Sequence, residues 1–283
     1  MNPRTPTLAA AAALVALLAA PAPAQVAFDD IPWTRGPATG DLGAEAQVQV
    51  PAGCLFTARA GTKMFMDLTQ NPVSGNERGV TVCNMAEGQE PWFAVFTFDP
   101  SGYVRDDERN ELDAGALLTS IQRGTEASNR ERQRRGWETI TVEGWVREPF
   151  YDTGTNNLTW SLTVASAGGR SVNHSVRVLG RGGVMHVDLV ADQAQLQSAL
   201  PLFARLVSGF SYKGGHRYAE WRQGDKVAEY GLTALVAGGA GVALAKSGLL
   251  GKLWKLIAAG VAAALAALKR LVGRKESPAR ARA

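Results

Sequence analysis

The sequence predicts an α+β fold, a mostly antiparallel sheet with two amphipathic helices, followed by a C-terminal transmembrane helix. Three observations predict it. Short runs of β-formers recur between turn signals, two stretches carry helical periodicity, and a long apolar run lies near the C-terminus. The strands and helices interleave as meanders rather than as repeated βαβ units, so a doubly wound sheet is not expected.

Taken in order, Arg4 precedes an apolar run from Leu8 to Ala20 and then Pro21-Ala22-Pro23-Ala24. A short positive region, a short hydrophobic region and an Ala-x-Ala site read as a secretory signal over residues 1–24. Residues 25–230 then form one exported domain, with no repeat, linker or low-complexity tract and enough length for a sizeable core. Ala46–Val50 alternates as a half-buried strand does, and Gly79–Cys83 and Trp92–Phe98 also read as strands. Asp99-Pro100-Ser101-Gly102 is a turn by composition.

Asp113 caps a helix predicted to run to about Arg135 and to stop at Gly136, with Leu117, Leu118, Ile121 and Thr125 on its buried face. The arginines near its end read as a solvated helix terminus favoured by the dipole. Thr139–Val146 and Leu158–Ala165 are predicted strands flanking a Pro/Gly/Asn loop. The clearest hairpin is Val172–Leu179, Gly180-Arg181-Gly182-Gly183, Val184–Val190. Pairing Leu179 with Val184 puts Val176, Val178, His174, Met185, Val187 and Leu189 on one face. Arg177 then faces His186, and Ser175 faces Asp188, on the other. A second helix is expected from Asp192 to Ser208, with Pro201 kinking it or starting its second half.

Beyond the domain lies a Gly/Ala-rich juxtamembrane segment, residues 231–248. Leu249–Leu268 is long enough, at about 30 Å as a helix, to cross the hydrocarbon core. Lys252 and Lys255 sit near its start, where their stems can snorkel, and Trp254 belongs at the same interface. Residues 269–283 carry six Lys and Arg against Glu276. By the positive-inside rule this tail is cytoplasmic, giving a single-pass inner-membrane protein with its domain on the periplasmic side. A hairpin of both apolar segments is the alternative and would return the tail to the exported side. Small residues four apart (Ala237/Gly241, Gly260/Ala264) allow self-association in the bilayer.

The whole chain is +4 and the tail alone +5, so the remainder is about −1. There is no basic domain, which argues against a nucleic-acid partner. The three histidines, His174, His186 and His216, offer no metal set, because the hairpin register separates the first two. Cys54 and Cys83 are the only cysteines; in an oxidising compartment they form a disulfide or remain free. The acidic stretch Asp99, Asp106, Asp107, Glu108, Asp113 lacks the spacing of a calcium loop. No nucleophile elbow, P-loop or dinucleotide fingerprint occurs, and no cofactor is implied. One constellation remains as a candidate ligand site: Trp145, Tyr151, Asp152, Trp160, Asn173, Arg177 and Arg181. Flat aromatics beside Asp, Asn and Arg either line a sugar or peptide groove or fill the core of the sheet.

Gly102-Tyr103-Val104, Asp106-Asp107, Leu112-Asp113-Ala114, Gly144-Trp145, Pro149, Tyr151-Asp152 and Leu158-Thr159-Trp160 occur in that order. Asn173, Arg177 through Met185, Asp225 through Ala228 and Tyr230-Gly231-Leu232 follow. This succession resembles a family of uncharacterised bacterial membrane-anchored proteins classed as a domain of unknown function, over about residues 30–245. The resemblance implies a signal peptide, an exported domain and a C-terminal anchor, and supplies no reaction and no established site. Members usually carry Tyr where this chain has His174. The expectation is therefore a membrane-anchored envelope protein that binds a protein partner or a glycan. The rival is an envelope hydrolase with a carboxylate site around Asp106, Asp107 or Asp152.

Overall fold

The computed structural model describes residues 27–69, 71, 73–86, 89–134 and 136–237. The expected signal (1–24), the span (249–268) and the basic tail (269–283) lie outside the described residues. Among those described, no helix is long and apolar enough to cross a membrane.

The elements are β1 (Thr34–Arg35), β2 (Ala38–Asp41), β3 (Ala46–Val50), β4 (Cys54–Ala58), α1 (Arg59–Leu68), β5 (Glu77–Cys83) and β6 (Trp92–Asp99). Then follow α2 (Ala114–Arg134), β7 (Thr141–Asp152), β8 (Asn157–Ser166), β9 (Gly169–Leu179), β10 (Val184–Asp192), α3 (Leu196–Ser208), β11 (Phe210–Tyr212) and α4 (Leu232–Ala237). Eight strands form an antiparallel sheet in the order β1-β4-β5-β6-β10-β9-β8-β7, and β11-β3-β2 form a second, small sheet. The α+β expectation holds, and α1 and α4 join the two predicted helices.

The β9–β10 register follows from the turn as expected: Leu179 pairs Val184, Arg177 pairs His186, and Ser175 pairs Asp188. Alternation then sorts the sheet into two faces. The first carries Phe56, Trp92, Phe96, Phe98, Val176, Met185, Val187 and Leu189 and is covered by α3 and the small sheet. On the second, α1 covers Val80, Val82 and Phe93 at one end. At the other end α2 and α4 cover Leu158, Trp160 and Leu162. Between them Val95, Thr97, His186 and Asp188 form a strip of sheet that is only partly buried. The hydroxyl of Tyr212 closes the β9–β10 turn, donating to the Val178 carbonyl (2.8 Å) and accepting from the Met185 amide (2.8 Å). Gly180 permits this, since a Cβ there would meet the Tyr212 ring at 2.6 Å.

Several expectations are corrected. β7 continues to Asp152, so Pro149, Phe150 and Tyr151 lie in a strand rather than a loop. Pro149 is tolerated because β7 is the outermost strand, and its register shifts between Val142 and Phe150. Asp113 does cap α2, accepting from the Ala116 amide, and Gly136 ends it at φ +68°. Arg132, however, is buried, donating to the Glu138 carbonyl and lying over Trp137, so the end of α2 is not wholly solvated. The Asp192–Ser208 helix begins as a single 3-10 turn, capped by Asp192, before α3 proper, and Pro201 lies inside α3. Beyond residue 230, Leu232, Leu235 and Val236 of α4 are buried beside Leu117 and Ile121.

Cys54 and Cys83 stand opposite each other across β4 and β5, their Cα atoms 4.2 Å apart, and are bonded. Alkylation of the unreduced protein is therefore expected to label neither; two reactive thiols would contradict the pairing. Closing a separation of 29 residues stabilises the fold by about 3–4 kcal/mol in a chain-entropy account. A Cys54→Ala, Cys83→Ala variant should lose about that much in urea denaturation.

Candidate functional site

α3 follows β10 across the first face of the sheet and stops short of its β7 edge. A cavity of about 550 Å³ opens where helix and sheet part company. Its helical wall is Leu196, Leu200, Phe203 and Val207, and its floor is Thr159, Ser161, His174 and Val176 from β8 and β9. The helical spacing explains the wall: Leu196, Leu200 and Val207 recur one or more turns apart. Phe203 is buried at the junction, edge-on to the His174 ring at 5.4 Å. Val146 and Phe150 of β7 stay exposed, 46% and 54%, and Phe150 stands opposite Thr159, so the apolar surface continues past the cavity rim.

Ser161 and His174 are register partners on β8 and β9, both buried, with Ser161 Oγ and His174 Nδ1 2.6 Å apart. Burial, helped by the positive charge of Arg147 and opposed by Asp188, lowers the imidazole pKa from 6.5 to about 4. At neutral pH His174 is therefore uncharged and a weak base. Ser161 also sits mid-strand, on a strand paired along both edges, rather than on a turn that would present its hydroxyl beside free N–H groups. The pair is a satisfied polar floor for a binding cavity, not a nucleophile and base.

This arrangement has a measurable consequence. The folded-state pKa lies below the unfolded one, so the unfolded chain binds more protons between pH 6.5 and 4. The stabilisation is complete above the unfolded value and is lost as pH falls toward 4. His186, also lowered by burial, acts in the same sense. The protein should be about 2 kcal/mol less stable at pH 5 than at pH 7.5 through His174 alone. His174→Gln should flatten that dependence, and equal urea midpoints for the native chain at both pH values would refute it.

The residues singled out from the sequence lie elsewhere. Trp160, Tyr151, Asn173 and Arg177 share the second face, and all four are buried. Trp145 is on that face too, half-buried, its Nε1 donating to the Ala114 carbonyl at 3.0 Å. Trp160 fills the core beneath α2 and α4. Asp152 accepts from the Gly154 amide and the Thr155 hydroxyl in the β7–β8 turn, and these bonds hold its carboxyl below the usual range. Arg181 closes a two-pronged ion pair on Asp225 (both contacts 2.7 Å), tying the β9–β10 turn to the segment before α4. The structure thus groups five of the seven and gives Asp152 and Arg181 local structural work.

The carboxylates of the rival reading behave differently from one another. Asp106 pairs with Arg109 at 3.7 Å. Outside that set, burial holds the Asp99 carboxyl above its ordinary range, while Tyr230 donates a short hydrogen bond to it. An open groove framed by two carboxylates is not what these contacts describe. Ser161 and His174 escaped the sequence reading although a signal existed. A two-residue turn at Ala167-Gly168 pairs Ser166 with Gly169, and counting back from it sets Ser161 against His174.

A family model described as a protein of unknown function (DUF2167) matches residues 34–269. No curated protein matches. Among solved structures, the chain is similar to the solution structure of cyanobacterial PsbP (CyanoP) from Synechocystis sp. PCC 6803. That likeness is 14% in sequence, covers 62% of this chain and 90% of that one, and has a TM-score of 0.38.

Proposed function

The chain belongs to the DUF2167 family of proteins of unknown function, and on that premise we propose that it is a membrane-tethered envelope module that binds a protein partner. The observation that carries this reading is the cavity between α3 and β7–β9, continuous with exposed Val146 and Phe150. Aliphatic walls over a neutral Ser161–His174 floor suit an apolar side chain of a partner. A glycan is the poorer fit. Sugar sites present flat aromatic faces to solvent, whereas the rings at this cavity are His174 and Phe203, buried edge-on to each other.

The module sits in the inner membrane, anchored by residues 249–268, with the sheet domain on the periplasmic side. The bonded Cys54–Cys83 pair supports an oxidising compartment.

The test uses the full chain in a bacterial host, with a photo-crosslinking residue at Phe150. One discrete adduct is expected, abolished by Ala204→Trp, which fills the cavity from an exposed position on α3 and should leave the melting temperature unchanged. Absence of any adduct, or an adduct indifferent to the tryptophan, would overturn the reading.

A further inference from the structure

The second face of the sheet holds a feature that partner binding at α3 does not use. Arg177, in the middle of β9, is fully buried. Its Nη1 donates to Asp188 Oδ1 at 2.9 Å and to the Val176 carbonyl at 3.3 Å. Its Nε and Nη2 meet no acceptor among the described residues. The guanidinium carbon lies over the Trp160 ring, 4.7 Å from its centre.

Nε and Nη2 are the two prongs that match a pair of oxygens on one carboxylate or phosphate. The protein itself shows the match. Arg181 uses the same two atoms to grip Asp225, Nε on Oδ2 and Nη2 on Oδ1. On Arg177 the equivalent fork is left open. Asp188 does not close it: its Oδ1 accepts from Nη1 and from the Ser175 hydroxyl, and neither Nε nor Nη2 bonds to it. Asp99 is engaged by Tyr230.

The surroundings supply a third contact. His186 faces Arg177 across β9–β10, and its Nε2 is sealed from solvent with no partner among the described residues. His186 and Asp188 both belong to the partly buried strip with Val95 and Thr97, between the ends covered by α1 and by α2. A buried arginine beside a neutral histidine, next to a partly buried strip of sheet, is a built receptor for a small anion.

We propose that the open fork of Arg177, backed by Trp160 and flanked by His186, binds the carboxylate or phosphate group of a small anionic ligand. The site is on the opposite face of the sheet from the α3 cavity, so each proposal can fail without the other.

The probes are sodium acetate and sodium phosphate, titrated at constant ionic strength against sodium chloride. The readout is the Nε–H resonance of Arg177 in ¹⁵N-labelled protein spanning residues 25–283 in detergent, assigned by its loss in Arg177→Lys. A saturable shift with acetate or phosphate, absent with chloride, is expected. The melting temperature should rise with the same anion in the native chain and in Arg181→Lys, but not in Arg177→Lys. Acetate alone points to a carboxylate ligand, and phosphate alone to a phosphorylated one. An unmoved resonance with both anions overturns the proposal, as does equal stabilisation of Arg177→Lys, which would mean an adventitious ion only. Should Arg177→Lys fail to fold, the native resonance decides by itself, assigned through its proximity to the Trp160 ring protons.

Discussion

Trp160→Ala is expected to destabilise the domain by about 3–5 kcal/mol. The ring is 1% exposed, packed among Leu158, Leu162 and Tyr151 beneath α2 and α4. Truncation removes the transfer energy of the indole and leaves a cavity that a β-sheet floor cannot collapse to fill. It also strips the surface against which the Arg177 guanidinium lies. Trp145→Ala is the control. That ring is half-buried, its Nε1 has a single backbone acceptor, and its loss should cost markedly less. Urea denaturation of both variants checks the order. A loss below about 1 kcal/mol for Trp160→Ala would mean that the indole faces an open groove.

The difference between those two tryptophans was not legible in the sequence, although much around them was. The β9–β10 register could be read because a Gly-rich turn fixes one pair and alternation fixes the rest, out to Asp192 against Ser171. The α2 boundaries could be read because Asp113 and Gly136 each have a local role, one as a side-chain cap and one at positive φ. By contrast α1 begins directly where β4 ends, at Ala58, with no side-chain cap to announce it. β1 and β2 are two and four residues long and exist only through their partners. β7 reads as a loop after Val146 because its pairing shifts around Pro149, which breaks the alternation. The candidate cavity depends on where α3 lies relative to the sheet edge, a tertiary fact with no periodicity of its own. Only its floor, Ser161 against His174, was within reach of hairpin counting.

Asp188→Ala should destabilise the domain by about 3–5 kcal/mol, because it removes one partner of a buried ion pair and leaves the other in place. Arg177 is 0% exposed and Asp188 18% by side chain, with 2.9 Å between Nη1 and Oδ1. The loss falls mainly on Arg177, whose guanidinium is buried, and secondarily on Ser175, whose hydroxyl donates to the same oxygen at 2.7 Å. The same reasoning predicts that Arg177→Met in the Asp188→Ala background recovers much of the loss, since no buried charge then lacks a counter-ion. A double-mutant cycle measures this directly, and the coupling should be at least about 1 kcal/mol. Additive effects would show instead that solvent reaches the guanidinium in the folded state. An arginine desolvated enough to need Asp188, yet with Nε and Nη2 meeting no acceptor among the described residues, is an unusual element to keep in a core that aliphatic residues could fill. The cycle therefore isolates what the ion pair contributes to stability, so that any stabilisation by acetate or phosphate can be assigned to the open prongs of Arg177.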